Sequence, residues 1–226
     1  MITEMESSTT ERRRRGYGQF CAVATALDVL GERWTLLIVR DLLSGPKRYT
    51  DLREMLPGIG TDLLTARLRT LEDAGLVLRR SLPRPAPATV YELTERGMQL
   101  GPLVRSLARV GFGFLGEPAD DADIPPERLV LAMRAAYRPD AVPGLDATYQ
   151  LHLGEESFVV SVHGEQVEAT RGTAADPDLT IRADPVTLSR VLGGQAQARE
   201  LAVEGPAKAR DRFVAAFRWR EAAPAS

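Results

Sequence analysis

The sequence predicts an α+β protein of two domains: a mostly helical winged helix-turn-helix followed by a second, smaller-stranded α+β domain. Three observations predict it. A chain of 226 residues is long for one domain and comfortable for two of about 100 residues each. Apolar residues recur at helical spacing through most of the first 115 residues, whereas two-residue alternation marks several runs beyond residue 140. Between them lies GEPADDADIPP, an acidic, proline-bearing stretch that reads as a linker over 116–126. Charge divides at the same place. Residues 1–115 carry 17 Lys/Arg against 13 Asp/Glu, and the remainder 12 against 18, so a surplus of four positive charges faces a surplus of six negative ones. The basic half suits a polyanion, and the acidic half argues against nucleic acid there.

Residues 1–16 end in Arg12, Arg13, Arg14 and Arg15 and read as a disordered basic arm, either a solvated tail or a segment touching DNA phosphates or the minor groove. No apolar core follows those arginines, so no secretory leader is expected, and the apolar run Trp34 to Val39 is too short for a membrane span. A single cysteine, Cys21, builds no disulfide framework, which fits a reducing cytoplasm.

The first domain is expected over 17–115. Ala22, Ala26, Leu27 and Leu30 space a first helix closed by Gly31. Arg33 to Leu43 is apolar on nearly every side, which predicts a central buried helix stopped by Ser44-Gly45-Pro46. A short third helix follows over Thr50–Leu56. The fourth runs from Thr61, the expected N-cap, to Ala74, with Gly75 as its stop. Leu76–Arg80 and Thr89–Leu93 are β-prone runs around SLPRPAPA, a stiff connection. Thr94 and Glu95 open a last helix carrying Leu100, Leu103, Val104, Leu107 and Phe114, and Gly101-Pro102 should kink or restart it. Helices supporting one amphipathic helix, then a hairpin, make the winged helix-turn-helix plan.

The fourth helix carries the candidate chemistry. At about 100° per residue, Leu64, Leu68 and Leu71 fall in one arc, flanked by Leu63. The opposite arc holds Asp62, Thr65, Ala66, Arg69 and Asp73. Small residues allow close approach to base edges, Arg69 can bond a guanine bidentately, and Thr65 can touch a thymine methyl or a phosphate. Thr61 and the free amides of the first turn suit a phosphate. Asp62 either accepts from a cytosine amino group or repels DNA. An ordinary amphipathic surface helix has the same wheel, but Lys47, Arg48 and Tyr49 on one side and Arg79, Arg80 and Arg84 on the predicted wing bracket this one with phosphate anchors. Arg67 completes the set of DNA-facing candidates.

The stretch CAVATALDVLGERWTLLIVRDLLSGPKRYTDLREMLPGIGTDLLTARLRTLEDAGLVLRR, followed by YELTERG, closely resembles the HxlR family of bacterial winged-helix regulators. The resemblance rests on the early cysteine, Gly-x-Arg-Trp-Thr-Leu-Leu-Ile, Leu-Pro-Gly-Ile, Arg-Leu-Arg-x-Leu-Glu-x-x-Gly-Leu and Leu-Thr-x-x-Gly, in that order over about 100 residues. It implies a homodimer on a near-palindromic, double-stranded DNA operator. Asp62 departs from the basic or neutral residue usual near that position, so no operator preference carries over. In part of this family the equivalent of Cys21 senses oxidants or electrophiles. A small apolar residue packed at a helix start is the alternative. Independently, Leu103, Leu107 and Phe114 form an apolar stripe too exposed for a lone small domain and mark a dimer interface.

In the second domain, expected over 127–226, a helix spans Glu127 to Tyr137. Strands alternate in ATYQLHL and ESFVVSVH, continue in EQVEAT and DLTIRA, and recur in ELAVEG. Asp184-Pro185 opens a helix filled by Leu188, Val191 and Leu192, and Pro206 opens the last, edged by Phe213 and Phe217. One antiparallel sheet with helices on one face is expected. The run DLTIRADPVTLSRVLGG, with its following strand and helix, resembles sterol-carrier-protein-like domains, which implies an apolar tunnel. Tyr149, Phe158, Val160, Leu188, Phe213 and Phe217 are its expected lining, for a small apolar or amphipathic ligand. A structural, dimer-supporting role is the alternative.

His152 and His163 alternate with the apolar face, and no phosphate loop, Cys/His metal spacing or nucleophile elbow is present, so no enzyme, metal or cofactor is expected. The expected function is a DNA-binding regulator, a repressor by occlusion, tuned by an apolar ligand. A redox regulator acting through Cys21 and a lipid-type carrier tethered to DNA are the rivals.

Overall fold

A computed structural model describes residues 16–82 and 88–219. The expectations for Arg12 to Arg15 and for Arg84 lie outside the described residues. The chain divides into two compact units, Met1–Val104 and Arg105–Ser226. No helix among the described residues is long and apolar enough to cross a membrane.

In the first unit, α1 (Ala22–Leu30) ends at Gly31 as its spacing predicts. α2 (Thr35–Leu42) follows Trp34, whose φ of 80° is disfavoured for a bulky side chain. The Arg33 guanidinium lies 5.3 Å from the indole centroid, and the ring packs against the core, which together hold that conformation. A two-residue strand, β1 (Lys47–Arg48), leads into α3 (Tyr49–Met55) and then α4 (Thr61–Asp73). β2 (Val77–Leu82) and β3 (Ala88–Leu93) pair antiparallel, and β1 adds to the free edge of β3, giving the order β1-β3-β2. Thr94 caps α5 (Glu95–Met98) by accepting from the Gly97 amide, and α6 (Gly101–Phe112) restarts after the break that Gly101-Pro102 predicts. The core joins Ile38, Val39 and Leu42 of α2, Leu52 and Leu56, and Leu64, Leu68 and Leu71 of α4.

The second unit contains α7 (Pro126–Ala136), β4 (Asp146–Leu153), β5 (Glu156–His163), β6 (Gln166–Arg171), β7 (Leu179–Ala183), α8 (Pro185–Gly193), β8 (Ala202–Glu204) and α9 (Ala207–Phe217). Asp184 caps α8 from the side chain, accepting from the Thr187 amide. The sheet order is β6-β5-β4-β7-β8. It is mixed rather than wholly antiparallel, because β7 lies parallel to β4. After β6 the chain returns across the sheet to the far side of β4, and β7 therefore enters in the same direction as β4. Gln150 makes that crossing habitable: its amide donates to the Gly172 carbonyl at 3.3 Å and accepts from the Ala174 amide at 2.8 Å.

The expected boundary at 115/116 also shifts. Ala108 and Phe112 of α6 pack with Ala132, Ala135 and Ala136 of α7 and with Trp219, so the end of α6 is built into the second unit. Phe112 stacks on Trp219 with centroids 5.3 Å apart, and Arg109 Nε donates to the Ala135 carbonyl at 2.7 Å. Nor does the 116–126 stretch hang free. Arg190 of α8 donates to the Pro118 carbonyl at 2.9 Å and to Asp120 at 2.6 Å.

Gly97 and Gly111 contrast in what a methyl group would meet. A Cβ at Gly97 would lie 2.0 Å from the Leu76 carbonyl oxygen, whereas at Gly111, exposed on α6, nothing lies within 4 Å. Gly97→Ala is expected to destabilise the protein by about 1–3 kcal/mol. Gly111→Ala should stabilise it by about 0.5–1 kcal/mol through helix propensity. Urea unfolding of both variants checks this, and a Gly97→Ala protein as stable as wild type would contradict the packing described.

Candidate nucleic-acid interface

The interface is built outward from α4. Leu64, Leu68 and Leu71 are buried on one side, so Asp62, Ala66, Arg69 and Asp73 are exposed on the other. Thr61 is the first helical residue rather than the N-cap. Gly60 takes the capping position in extended conformation, and no side chain caps the first-turn amides. Tyr49 braces that end: its hydroxyl donates to the Thr61 carbonyl at 2.9 Å and lies 3.4 Å from Thr65 Oγ1. Thr65 Oγ1 in turn donates to the same carbonyl at 2.9 Å. Tyr49 and Thr65 therefore position the helix start, and Asp62 and Arg69 remain exposed along the helix.

Arg67, expected among the DNA-facing residues, is turned elsewhere. It sits on the flank of α4 next to the leucine ridge, and its guanidinium bonds Glu32 at 2.7 Å and the Arg33 carbonyl at 3.3 Å. That side chain ties α4 to the α1–α2 connection and does not share the exposed face.

The wing gathers its cations in two neighbouring rows. Strand register sets Lys47 opposite Tyr91 and Tyr91 opposite Arg79; in the next row Arg48 is opposite Val90 and Val90 opposite Arg80. β1, which joins Lys47 and Arg48 to the wing, gave no sequence signal because two residues carry no period. Arg80 is also not a free anchor. Its Nε and Nη2 donate to the two carboxylate oxygens of Glu92 at 2.9 and 2.8 Å, a diagonal pair across β2 and β3. This hydrogen-bonded pairing holds the Glu92 carboxyl below, and the Arg80 guanidinium above, their ordinary pKa values. Arg79 and Arg48 are exposed.

Residues 29–118 match the HxlR-like helix-turn-helix family, and residues 129–210 match the SCP-2 sterol transfer family. The regulator YodB of Bacillus subtilis is 35% identical over 96 residues, which cover 42% of this chain and 85% of YodB. An uncharacterised HTH-type transcriptional regulator of Synechocystis, sll1512, is 32% identical over 107 residues, covering 47% of this chain and 79% of that protein. The chain belongs to the HxlR family. Among solved structures, reduced YodB is 31% identical, covers 46% of this chain and 100% of that one, and superposes with a TM-score of 0.38. By its family matches and relatives, this HxlR-family protein is a transcriptional regulator with a winged helix-turn-helix and, C-terminally, a sterol-carrier-like α+β fold.

Both histidines of the regulator have polar partners. His152 Nδ1 lies 2.9 Å from Ser157 Oγ, and exposed His163 lies 3.0 Å from Asp146. Among the described residues, no cluster of His, Cys, Asp and Glu is arranged to hold a metal ion.

Arg67 and Arg69, two residues apart, should separate stability from recognition. Arg67→Ala is expected to lower stability by about 1 kcal/mol and leave operator affinity within twofold. Arg69→Ala should leave stability unchanged and cost about 1–3 kcal/mol of operator binding, with relaxed preference at one base pair. Urea unfolding beside operator titration checks both, and the reverse pattern would contradict the assigned faces.

Proposed function

We propose that this HxlR-family regulator is a dimeric repressor that occludes its operator, and that its sterol-carrier-like unit senses a small apolar or amphipathic molecule. The observation that carries DNA reading is the exposed face of α4, small at Ala66 and cationic at Arg69, with an uncapped N-terminus. Arg69 supplies base contact, Arg48 and Arg79 supply phosphate contact, and the first-turn amides of α4 bind a phosphate. Lys47 stands in the same basic row as Arg79. Arg80 contributes only where phosphate competes with Glu92.

Dimer formation rests on unburied apolar stripes. On α6 and just beyond it, Leu103, Leu107 and Val110 are 46%, 52% and 62% exposed and Phe114 is 86% exposed. On α1 and just before it, Val23, Leu27 and Phe20 are also exposed. Stripes of this kind on a protein of this size call for a second copy. Leu107→Glu should yield monomers that lose operator binding, measured by sedimentation and titration. A variant that stays dimeric would remove α6 from the interface.

For the sensor, Tyr149, Phe158, Val160, Leu188, Phe213 and Phe217 occupy the packed core between sheet and helices. Tyr149 meets Phe213 edge-on at 5.1 Å, and Phe213 meets Phe217 at 5.1 Å. These rings fill the space where an open tunnel was expected, so a guest enters by displacing α8 or α9 from the sheet. Leu188 lies on α8 beside Arg190, which holds the 117–120 segment. A guest that shifts α8 therefore pulls on the segment that follows the dimer helix. Such a guest acts only through unequal affinity for the two states, and a tenfold preference shifts operator binding by about 1.4 kcal/mol.

A second reading rests on Cys21. The thiol is exposed and lines an apolar groove of about 740 Å³ with Phe20, Ala26, Leu30, Leu76 and Leu100. An electrophile seated there would modify the thiol beside a candidate dimer stripe. Under the ligand-sensor reading, Cys21→Ser retains operator binding and the response to an apolar signal. An oxidant that releases wild type but not Cys21→Ser from DNA would establish the redox reading instead.

A further inference from the structure

The second unit carries a cleft outside its aromatic core. It lies between the 3₁₀ turn Pro139–Ala141 and α9, holds about 540 Å³, and is lined by Ala141, Val142, Pro143, Lys208, Asp211, Arg212 and Ala215. Most of that wall is apolar, and its floor belongs to the core, since Val142 is buried in the core and Ala215 packs against it. Two cations one helical turn apart stand over this floor. The one lining carboxylate is already paired: Asp211 is engaged by Arg210, whose Nε and Nη2 donate to it at 3.0 and 2.8 Å. Among the described residues, Lys208 and Arg212 form no ion pair within 4.0 Å, unlike Arg171, Arg182 and Arg190 of the same unit. An unpaired cation pair beside an apolar floor, in a half of the chain with six surplus negative charges, is a charge pattern completed by an anion.

We propose that this cleft binds an organic monocarboxylate with a compact apolar body, its acid group held by Lys208 and Arg212 and its body on Val142, Pro143 and Ala215. Inorganic phosphate supplies the charge without the body, and an alcohol the body without the charge, so neither matches the cleft. The site also adjoins the core that a guest must open. Arg212 precedes Phe213 on α9, and burial pushes the pKa of the Tyr149 hydroxyl up to about 12 against the opposing charge of Arg212. Neutralising Arg212 with a bound acid changes the field on α9, the helix whose Phe213 and Phe217 close the core. The inference deepens the sensor reading above by naming the ligand's class, and rests on it only for the effect on DNA.

The test uses the full chain and calorimetric titration with 4-phenylbutyrate, 4-phenyl-1-butanol and inorganic phosphate. 4-Phenylbutyrate should bind saturably, one per chain, and at least tenfold more tightly than the alcohol; tenfold excess phosphate should not displace it. The double variant Lys208→Gln, Arg212→Gln should lose at least tenfold in 4-phenylbutyrate affinity with an unchanged melting temperature, and Lys208→Arg should retain binding. Equal binding of acid and alcohol, or undiminished binding by a folded double variant, overturns the site. Operator titration with and without 4-phenylbutyrate separates the two proposals. Cation-dependent binding that leaves operator affinity unchanged supports the anion site and overturns the sensor role.

Discussion

Everything the first unit presents to a partner depends on the burial of one leucine ridge. Leu64, Leu68 and Leu71 seat α4 against Ile38, Val39 and Leu42, and each buried side chain contributes about 2 kcal/mol. Because the ridge fixes the rotation of α4, it also decides which residues remain outside, and Asp62, Ala66, Arg69 and Asp73 are what remains. Arg67 at the flank and Tyr49 at the N-terminal end lock that rotation with hydrogen bonds to Glu32 and to the Thr61 carbonyl. A helix face held from three sides loses little freedom when a partner meets it.

The second unit obeys a different constraint, since alternate residues of β4 and β5 are buried and it must close its own core. Phe213 and Phe217 do so by meeting Tyr149 edge-on. Those rings are buried between sheet and helices, and the sensor role proposed above would require α8 or α9 to move. α8 grips the 117–120 segment through Arg190, and Trp219, just beyond α9, stacks on Phe112 of α6. α8 is therefore fastened to the segment that follows the candidate dimer stripe, and the end of α9 to the helix that carries it. Such coupling carries a signal only where two arrangements differ little in free energy.

Periodic features were legible in the sequence and singular ones were not. The ridge of α4, the alternation that buries Phe158, Val160 and Val162, and the Asp184-Pro185 helix start all follow from spacing or cap chemistry. β1 escaped because two residues show no alternation, and the parallel partner of β4 escaped because strand direction depends on where the chain crosses. Partner choice also escaped. Arg67 and Arg80 look like DNA-facing cations in a linear sequence, but Glu32 is 35 residues from the first and Glu92 is 12 residues from the second. Aromatic residues on strands and helices marked the second core correctly, yet composition does not say whether such residues line a void or fill it.

The central claim is that the exposed face of α4 enters the major groove. Ala66 lies in the middle of that face with a short, exposed side chain. An iron chelate attached to Ala66→Cys, in a Cys21→Ser background, would cleave whatever DNA lies beside α4. The account predicts two focused cleavage clusters on the operator, about one helical turn or about 34 Å apart, one for each copy of the helix in a dimer. Diffuse cleavage along an otherwise occupied operator, with focused cleavage appearing only when the chelate is moved to the wing, would contradict it.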